Sequence, residues 1–228
     1  MEAIILAGGK GTRLKPYTTS FPKPLMPIDD KPILEMVIDK LRDSGIKKIT
    51  ITVGHLAELI MAYFGDGKKF NVEIEYSKEE KPLGTAGPLN LIKDSIEDTF
   101  ILMNGDVLTD IDFSKLISSH KENINLATIA LAQRNVFIDF GVIETDSSSL
   151  LTKWIEKPTI DYLVSTGIYV LNKKVLDYLP KGFSNLPDLI LDIVANNEKV
   201  GTFIHDGYWL DIGREEDYIT ACKDFSSE

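Results

Sequence analysis

The stretch from Ile4 to Pro27, IILAGGKGTRLKPYTTSFPKPLMP, sets three glycines and an arginine directly behind a short apolar run that reads as a strand. Gly8, Gly9 and Gly11 allow positive φ and let backbone amides come close to a ligand, which suits a phosphate group. Lys10, Arg13, Lys15 and Lys23 bring cations to the same loop. Pro16, Pro22, Pro24 and Pro27 keep that loop extended, because proline fixes φ and biases the residue before it away from helix. An arginine offers a polyphosphate a planar fork of donors, whereas a lysine acts as a point charge.

Working outward, strand and helix signals alternate through the first half. Ala3–Ala7 is a short apolar run. Ile33, Leu34, Val37, Ile38 and Leu41 form a helical stripe, and Ile49–Val53 is β-branched and alternating. Leu59, Ile60, Tyr63 and Phe64 make a second stripe. Val72–Tyr76, an apolar helix around Leu89, Ile92 and Ile96, and Phe100–Met103 continue the pattern. This alternation predicts right-handed crossovers on a mostly parallel, Rossmann-like α/β sheet flanked by helices. In the second half Leu126–Ala132, Gly141–Thr145, Leu151–Ile155 and Gly167–Leu171 read as strands with few helices between them. That half is expected to form a smaller, partly antiparallel lobe opposite the first. The glycine loop and the Asn104-Gly105-Asp106 triplet both follow strands, so both emerge at the carboxyl edge, where open parallel sheets bind ligands.

Two well-known phosphate loops do not fit. The spacing is GGxGTR rather than GxGxxG, and the next strand ends in Val53-Gly54-His55 with no acid for a ribose hydroxyl, which disfavours a dinucleotide dehydrogenase. No Lys-Ser/Thr pair closes a Walker A loop. His55, His120 and His205 have no metal-ligand spacing.

Composition bounds the rest. The chain has 228 residues, is 43% hydrophobic, and holds no run long enough to cross a bilayer. A formal net charge of -10 opposes broad nucleic-acid binding, which needs a basic field. The single cysteine, Cys222, excludes an intramolecular disulfide framework, and the N-terminus has no signal-peptide pattern; a cytoplasmic setting follows as the expectation.

The opening stretch resembles the signature of the sugar-phosphate nucleotidylyltransferases, which join a nucleoside triphosphate to a sugar 1-phosphate and release pyrophosphate. Separate motifs stand in the family's order: PLGTAGPL at Pro82–Leu89, NGD ending at Asp106, FGVIE at Phe140–Glu144, EKP at Glu156–Pro158 and WLDIG at Trp209–Gly213. The resemblance spans nearly the whole chain. It implies a single domain over residues 1–228, with a nucleotide-binding half at about 1–122 and a sugar-binding half at about 123–228. With the last helix signal close to Glu228, no C-terminal β-helix of the kind some relatives carry is expected.

Such a reaction needs no protein base, since a sugar phosphate is already an oxygen nucleophile near neutral pH. Positioning, cations and metal dominate instead. The resemblance implies Asp106 and Asp211 as ligands of Mg²⁺, a hard ion favouring carboxylate and phosphate oxygens. It gives Arg13 to the β- and γ-phosphates, Lys23 to the α-phosphate and Lys157 to the sugar phosphate. Leu6, Ala7, Gly8, Gly9, Gly11 and Thr12 would hold the nucleotide, and Asn104, Gly141, Glu156 and Thr166 the sugar. Gly84, Thr85, Ala86 and Gly87 present small residues against which a flat base can lie. A carboxylate from Glu79 or Glu80 can accept hydrogen bonds from guanine N1 and N2, which favours GTP.

EEKPLGTAG also resembles mannose- and heptose-1-phosphate guanylyltransferases; the alternatives are uridylyl, thymidylyl or cytidylyl transfer to another hexose 1-phosphate. Many relatives carry Asn before an Ala-Gly-Ile-Tyr run, where this chain has Ser165 and Thr166, so the sugar contact is expected to differ. The expected partners are thus a nucleoside triphosphate and a sugar 1-phosphate, without nucleic acid or membrane, and with room for a homo-oligomer. A non-catalytic binding module is disfavoured, because such a module should have lost a metal aspartate or a loop cation and this chain keeps them all.

Overall fold

The computed structural model describes residues 1–226. The chain opens with β1 (Glu2–Ala7), whose Ala3, Ile4 and Ile5 are fully buried, as befits a strand covered on both faces. Two short strands, β2 (Pro27–Ile28) and β3 (Lys31–Pro32), pair and lead into α1 (Ile33–Asp43). All five residues of the predicted α1 stripe are buried, and Glu35 in the first turn with Lys40 and Arg42 in the last complement the helix dipole.

After β4 (Lys48–Val53) comes α2 (Ala57–Phe64), then β5 (Glu73–Lys78). The inward face of α2 differs from the expected stripe. Ala57, Ile60 and Phe64 are buried while Leu59 and Tyr63 are exposed, because the helix starts from Leu56 in the left-handed conformation and turns that row toward the sheet.

Next are β6 (Thr99–Asn104), β7 (Val107–Thr109) and α3 (Phe113–Glu122), the last capped by the Asp112 carboxylate on the Lys115 amide. No α-helix forms around Leu89 and Ile96. Only a 3₁₀ helix spans Gly87–Leu91, and it stops at Ile92, whose φ of −125° lies outside the helical range.

The remaining strands are β8 (Ala127–Phe137), β9 (Val142–Thr145), β10 (Leu151–Ile155) and β11 (Thr159–Asn172). They are followed by α4 (Leu186–Ala195), β12 (Val200–His205), β13 (Trp209–Asp211) and α5 (Glu215–Phe225). The main sheet has the order β12-β8-β11-β6-β1-β4-β5. Only β11 runs against its neighbours; β12, a strand the sequence pattern did not mark, lies parallel to β8. The second half thus extends the first half's sheet, and its antiparallel character sits in β11, the β9–β10 hairpin and an arm where β8 and β11 continue past the sheet.

At the root of that arm the β11–β8 register breaks, with Ser165 opposite Leu131 but Tyr169 opposite Ile129. Gly167, at φ +75°, completes this bulge over Asn104.

Candidate active site

Strands β1, β4, β5 and β6 all end at one edge of the sheet, and each delivers a wall of the same cavity of about 500 Å³. Leu6, Ala7, Gly8, Gly9, Gly11, Thr12, Arg13 and Lys23 line it from the first loop. Glu79, Gly84, Thr85, Asn104 and Asp106 line it from the others. The loop is anchored from below: buried Leu14, Leu25 and Met26 flank Arg13 and Lys23, and the Thr18 hydroxyl donates to the Gly11 carbonyl at 2.7 Å. Hydrophobic anchors on both sides leave the cations to the cavity.

Gly8 lies against the Glu79 carboxylate. A Cβ there would stand 2.3 Å from Oε1 of Glu79, while Oε2 accepts the Leu83 amide at 2.9 Å. Burial raises the carboxyl pKa of Glu79 above its ordinary value, and the bond from Leu83 opposes this. Glu79 therefore faces the cavity. Glu80 does not line it and is exposed.

The two aspartates meet through a ribbon. Val107 of β7 pairs with Asp211 of β13, and the Ile212 amide donates to the Asp106 carbonyl at 3.0 Å. Lys23 forms an ion pair with Oδ2 of Asp106, and Oδ1 of Asp106 is buried with no hydrogen-bond partner. Burial, and then the charge of Asp106, raise the pKa of Asp211; Lys23 and Arg13 pull it back. The Arg13 guanidinium lies against Gly213, where a Cβ would come within 3.2 Å of it.

An orphaned buried carboxylate oxygen beside a second, unpaired carboxylate fits a hard divalent cation that takes its other ligands from phosphate and water. Among the described residues no group of three His, Cys, Asp or Glu forms a metal cluster, so the protein's donor set there is two carboxylates.

The residues expected at the sugar are placed less uniformly. Asn104 lines the cavity beneath the bulge. Gly141 lies under Trp154 and Glu156 at the β9–β10 hairpin, and the side chains of those two bond to each other at 3.2 Å. Lys157 pairs with Asp139 at 2.8 Å and is half exposed. Thr166 is buried, and its hydroxyl donates to the Ala130 carbonyl at 2.8 Å rather than facing the cavity. Ala86 is fully buried in the core and does not line this cavity, and its amide donates to the Ser184 carbonyl at 2.9 Å.

Phe183 and Asn185 line the cavity and were not expected there. They sit before α4 on a loop welded to Leu83–Gly87 through both polar groups of the Ser184 backbone. The signal for them was the apolar stripe of α4, Leu186, Leu189, Ile190 and Ile193, which marks a helix starting next to Asn185. What the sequence does not show is that this helix start packs on the base-side loop.

A mostly parallel α/β sheet that gathers a glycine-rich, cation-bearing loop and two carboxylates at one edge offers donors and cations suited to a phosphate-bearing ligand. A family model described as Nucleotidyl transferase matches residues 2–228, and the chain belongs to that family. A UTP–glucose-1-phosphate uridylyltransferase of a Synechocystis strain is 36% identical over 98% of this chain and 63% of its own length. A probable mannose-1-phosphate guanylyltransferase of rice (Oryza sativa) is 33% identical, over 98% of this chain and 64% of its own. The crystal structure of HddC from Yersinia pseudotuberculosis, complexed with GMP-PN, superposes with a TM-score of 0.77 at 28% identity, covering 99% of both chains. The chain spans somewhat less than two thirds of the length of the two sequence relatives. The resemblance to sugar-phosphate nucleotidylyltransferases agrees with these matches.

Proposed function

We propose that the protein transfers a nucleoside monophosphate from a nucleoside triphosphate to a sugar 1-phosphate, releasing pyrophosphate. The observation that carries this reading is the convergence of Gly8, Gly9, Gly11, Arg13, Lys23 and Asp106 on one cavity, with the Glu79 carboxylate beside Gly8. The loop amides and Arg13 bind the β- and γ-phosphates, and Arg13 stabilises charge on the departing pyrophosphate. Lys23 neutralises the α-phosphate as the sugar phosphate attacks in line. Asp106 and Asp211 would hold Mg²⁺, which when bound screens the two anions from each other and polarises the α-phosphate. Gly141, Glu156, Lys157 and Thr166 belong to the side from which the sugar phosphate arrives.

We assign GTP as the donor and a mannose- or heptose-type 1-phosphate as the acceptor. Glu79 supports the base, since a carboxylate facing the cavity accepts from two guanine donors that uracil cannot present in the same way. The mannose guanylyl relative and the GMP-PN complex of HddC support the same choice. The Synechocystis relative favours a second reading, UTP with glucose 1-phosphate.

The test is pyrophosphate release by purified protein with Mg²⁺, each common nucleoside triphosphate and a panel of sugar 1-phosphates. GTP with mannose or heptose 1-phosphate is expected to give the highest kcat/KM. No release in any combination overturns the transferase, and a preference for UTP with glucose 1-phosphate selects the second reading.

A further inference from the structure

The β7–β13 ribbon that brings Asp211 to Asp106 is only three residues long on each strand. Val107 and Leu108 seat β7 in the core, whereas all three residues of β13 are only partly buried, so the position of β13 depends on what pins it. Trp209 is the first residue of β13, two positions before Asp211, and it is held on three sides. Its main chain pairs with Thr109 of β7. Its indole N–H donates to the Thr166 carbonyl at 2.9 Å, at the bulge that separates the sheet from the arm. On the arm, Arg134 of β8 lays its guanidinium over the indole, 4.7 Å from the ring centroid, and donates to the Trp209 carbonyl at 3.0 Å. Among the described residues no carboxylate lies within ion-pairing distance of Arg134, so its contacts go to Trp209 rather than to an acid.

We propose that Arg134 is a positioning residue for Asp211. By stacking on Trp209 and donating to its carbonyl, it fixes the ribbon against the bulge and so holds the Asp211 carboxylate beside Asp106. The planar guanidinium is suited to this, since it stacks on an aromatic face while its edge donates in a defined direction. Arg134 touches neither carboxylate, and its effect passes through Trp209. The link also ties the ribbon to the arm. This inference rests on the metal-assisted transferase reading above.

The test uses the full chain with Arg134→Met, which keeps apolar cover on the indole and removes the donors, and Arg134→Lys, which keeps the charge. Mn²⁺ binding in the presence of GTP is measured by electron paramagnetic resonance, alongside steady-state kinetics over a range of Mg²⁺. The expected result for Arg134→Met is Mn²⁺ affinity weakened about tenfold and a fall in kcat that excess Mg²⁺ offsets, with KM for the triphosphate unchanged. Arg134→Lys should restore part of both. Unchanged Mn²⁺ affinity in Arg134→Met, or a kcat loss that no Mg²⁺ concentration offsets, overturns the inference while leaving the transferase standing. A wild-type protein that neither binds Mn²⁺ nor releases pyrophosphate overturns the functional reading, and this inference with it.

Discussion

Asp106 and Asp211, distant in sequence, stand side by side because Val107 pairs with Asp211 across a short antiparallel ribbon and the Ile212 amide closes on the Asp106 carbonyl. One carboxylate is neutralised on one oxygen by Lys23, and the other forms no ion pair among the described residues, only feeling the fields of Lys23 and Arg13. The arrangement is electrostatically incomplete in the protein alone, and its consequences can be measured.

Asp106→Ala should abolish pyrophosphate release and also cost stability. Lys23 is a nearly buried ammonium whose partner would be removed, and stranding such a charge costs about 3 kcal/mol. Urea unfolding of the variant checks the second effect independently of the first. A variant that remains active excludes Asp106 as a metal ligand.

Asp211 gives a pH dependence of definite sign. Its folded-state pKa is raised above the ordinary value of 3.8, so the native chain holds this proton more tightly than the unfolded chain. The contribution to stability is full below the ordinary value, falls as pH rises through the window between that value and the raised one, and stays lost above it. Asp211→Asn removes this loss. The variant should melt higher than wild type at pH 7 to 8 without divalent cation, and the gain should shrink on acidification. Thermal melts at a series of pH values decide the matter, and equal melting temperatures at neutral pH would sink the assignment.

Glu79 should govern the choice of base. Replacing it with Gln keeps the size and the Leu83 contact but exchanges one acceptor for a donor, so the ratio of kcat/KM for GTP over UTP should fall about tenfold. A ratio that does not move would assign base discrimination to other groups.

Thr85 is expected to matter for folding more than for chemistry. Its hydroxyl oxygen accepts the amide of Leu186, the first residue of α4, at 2.8 Å. Thr85→Ala should lower stability by about 1 kcal/mol and the melting temperature by about 2–4 °C, with kcat little changed. Differential scanning calorimetry reads this directly.

The glycine loop, the β-branched runs and the stripe of α1 were legible because local spacing and burial carry the same message there. Ile33, Leu34, Val37, Ile38 and Leu41 repeat at helical spacing, and all are buried. The face of α2 was not legible, since Leu59 and Tyr63 have the same spacing as the row that is buried and only the entry at Leu56 chooses between them. Nor was the true place of Ala86, whose small side chain suited a base platform but whose amide belongs to Ser184.

The sequence by itself determined the strands β1, β4, β5 and β6, the helix α1, the edge at which the loops gather, and the residue types able to meet a phosphate. Those follow from periodicity, from glycine and proline backbone limits, and from charge, all of which are local. Only the tertiary structure decided that β12 extends the sheet, that Phe183 and Asn185 share the cavity, and that the Thr166 hydroxyl turns to Ala130. It also decided that Arg134 reaches Trp209 from the arm. Each of these depends on contacts between segments far apart in the chain, and a partner across such a distance leaves no periodic trace in either segment.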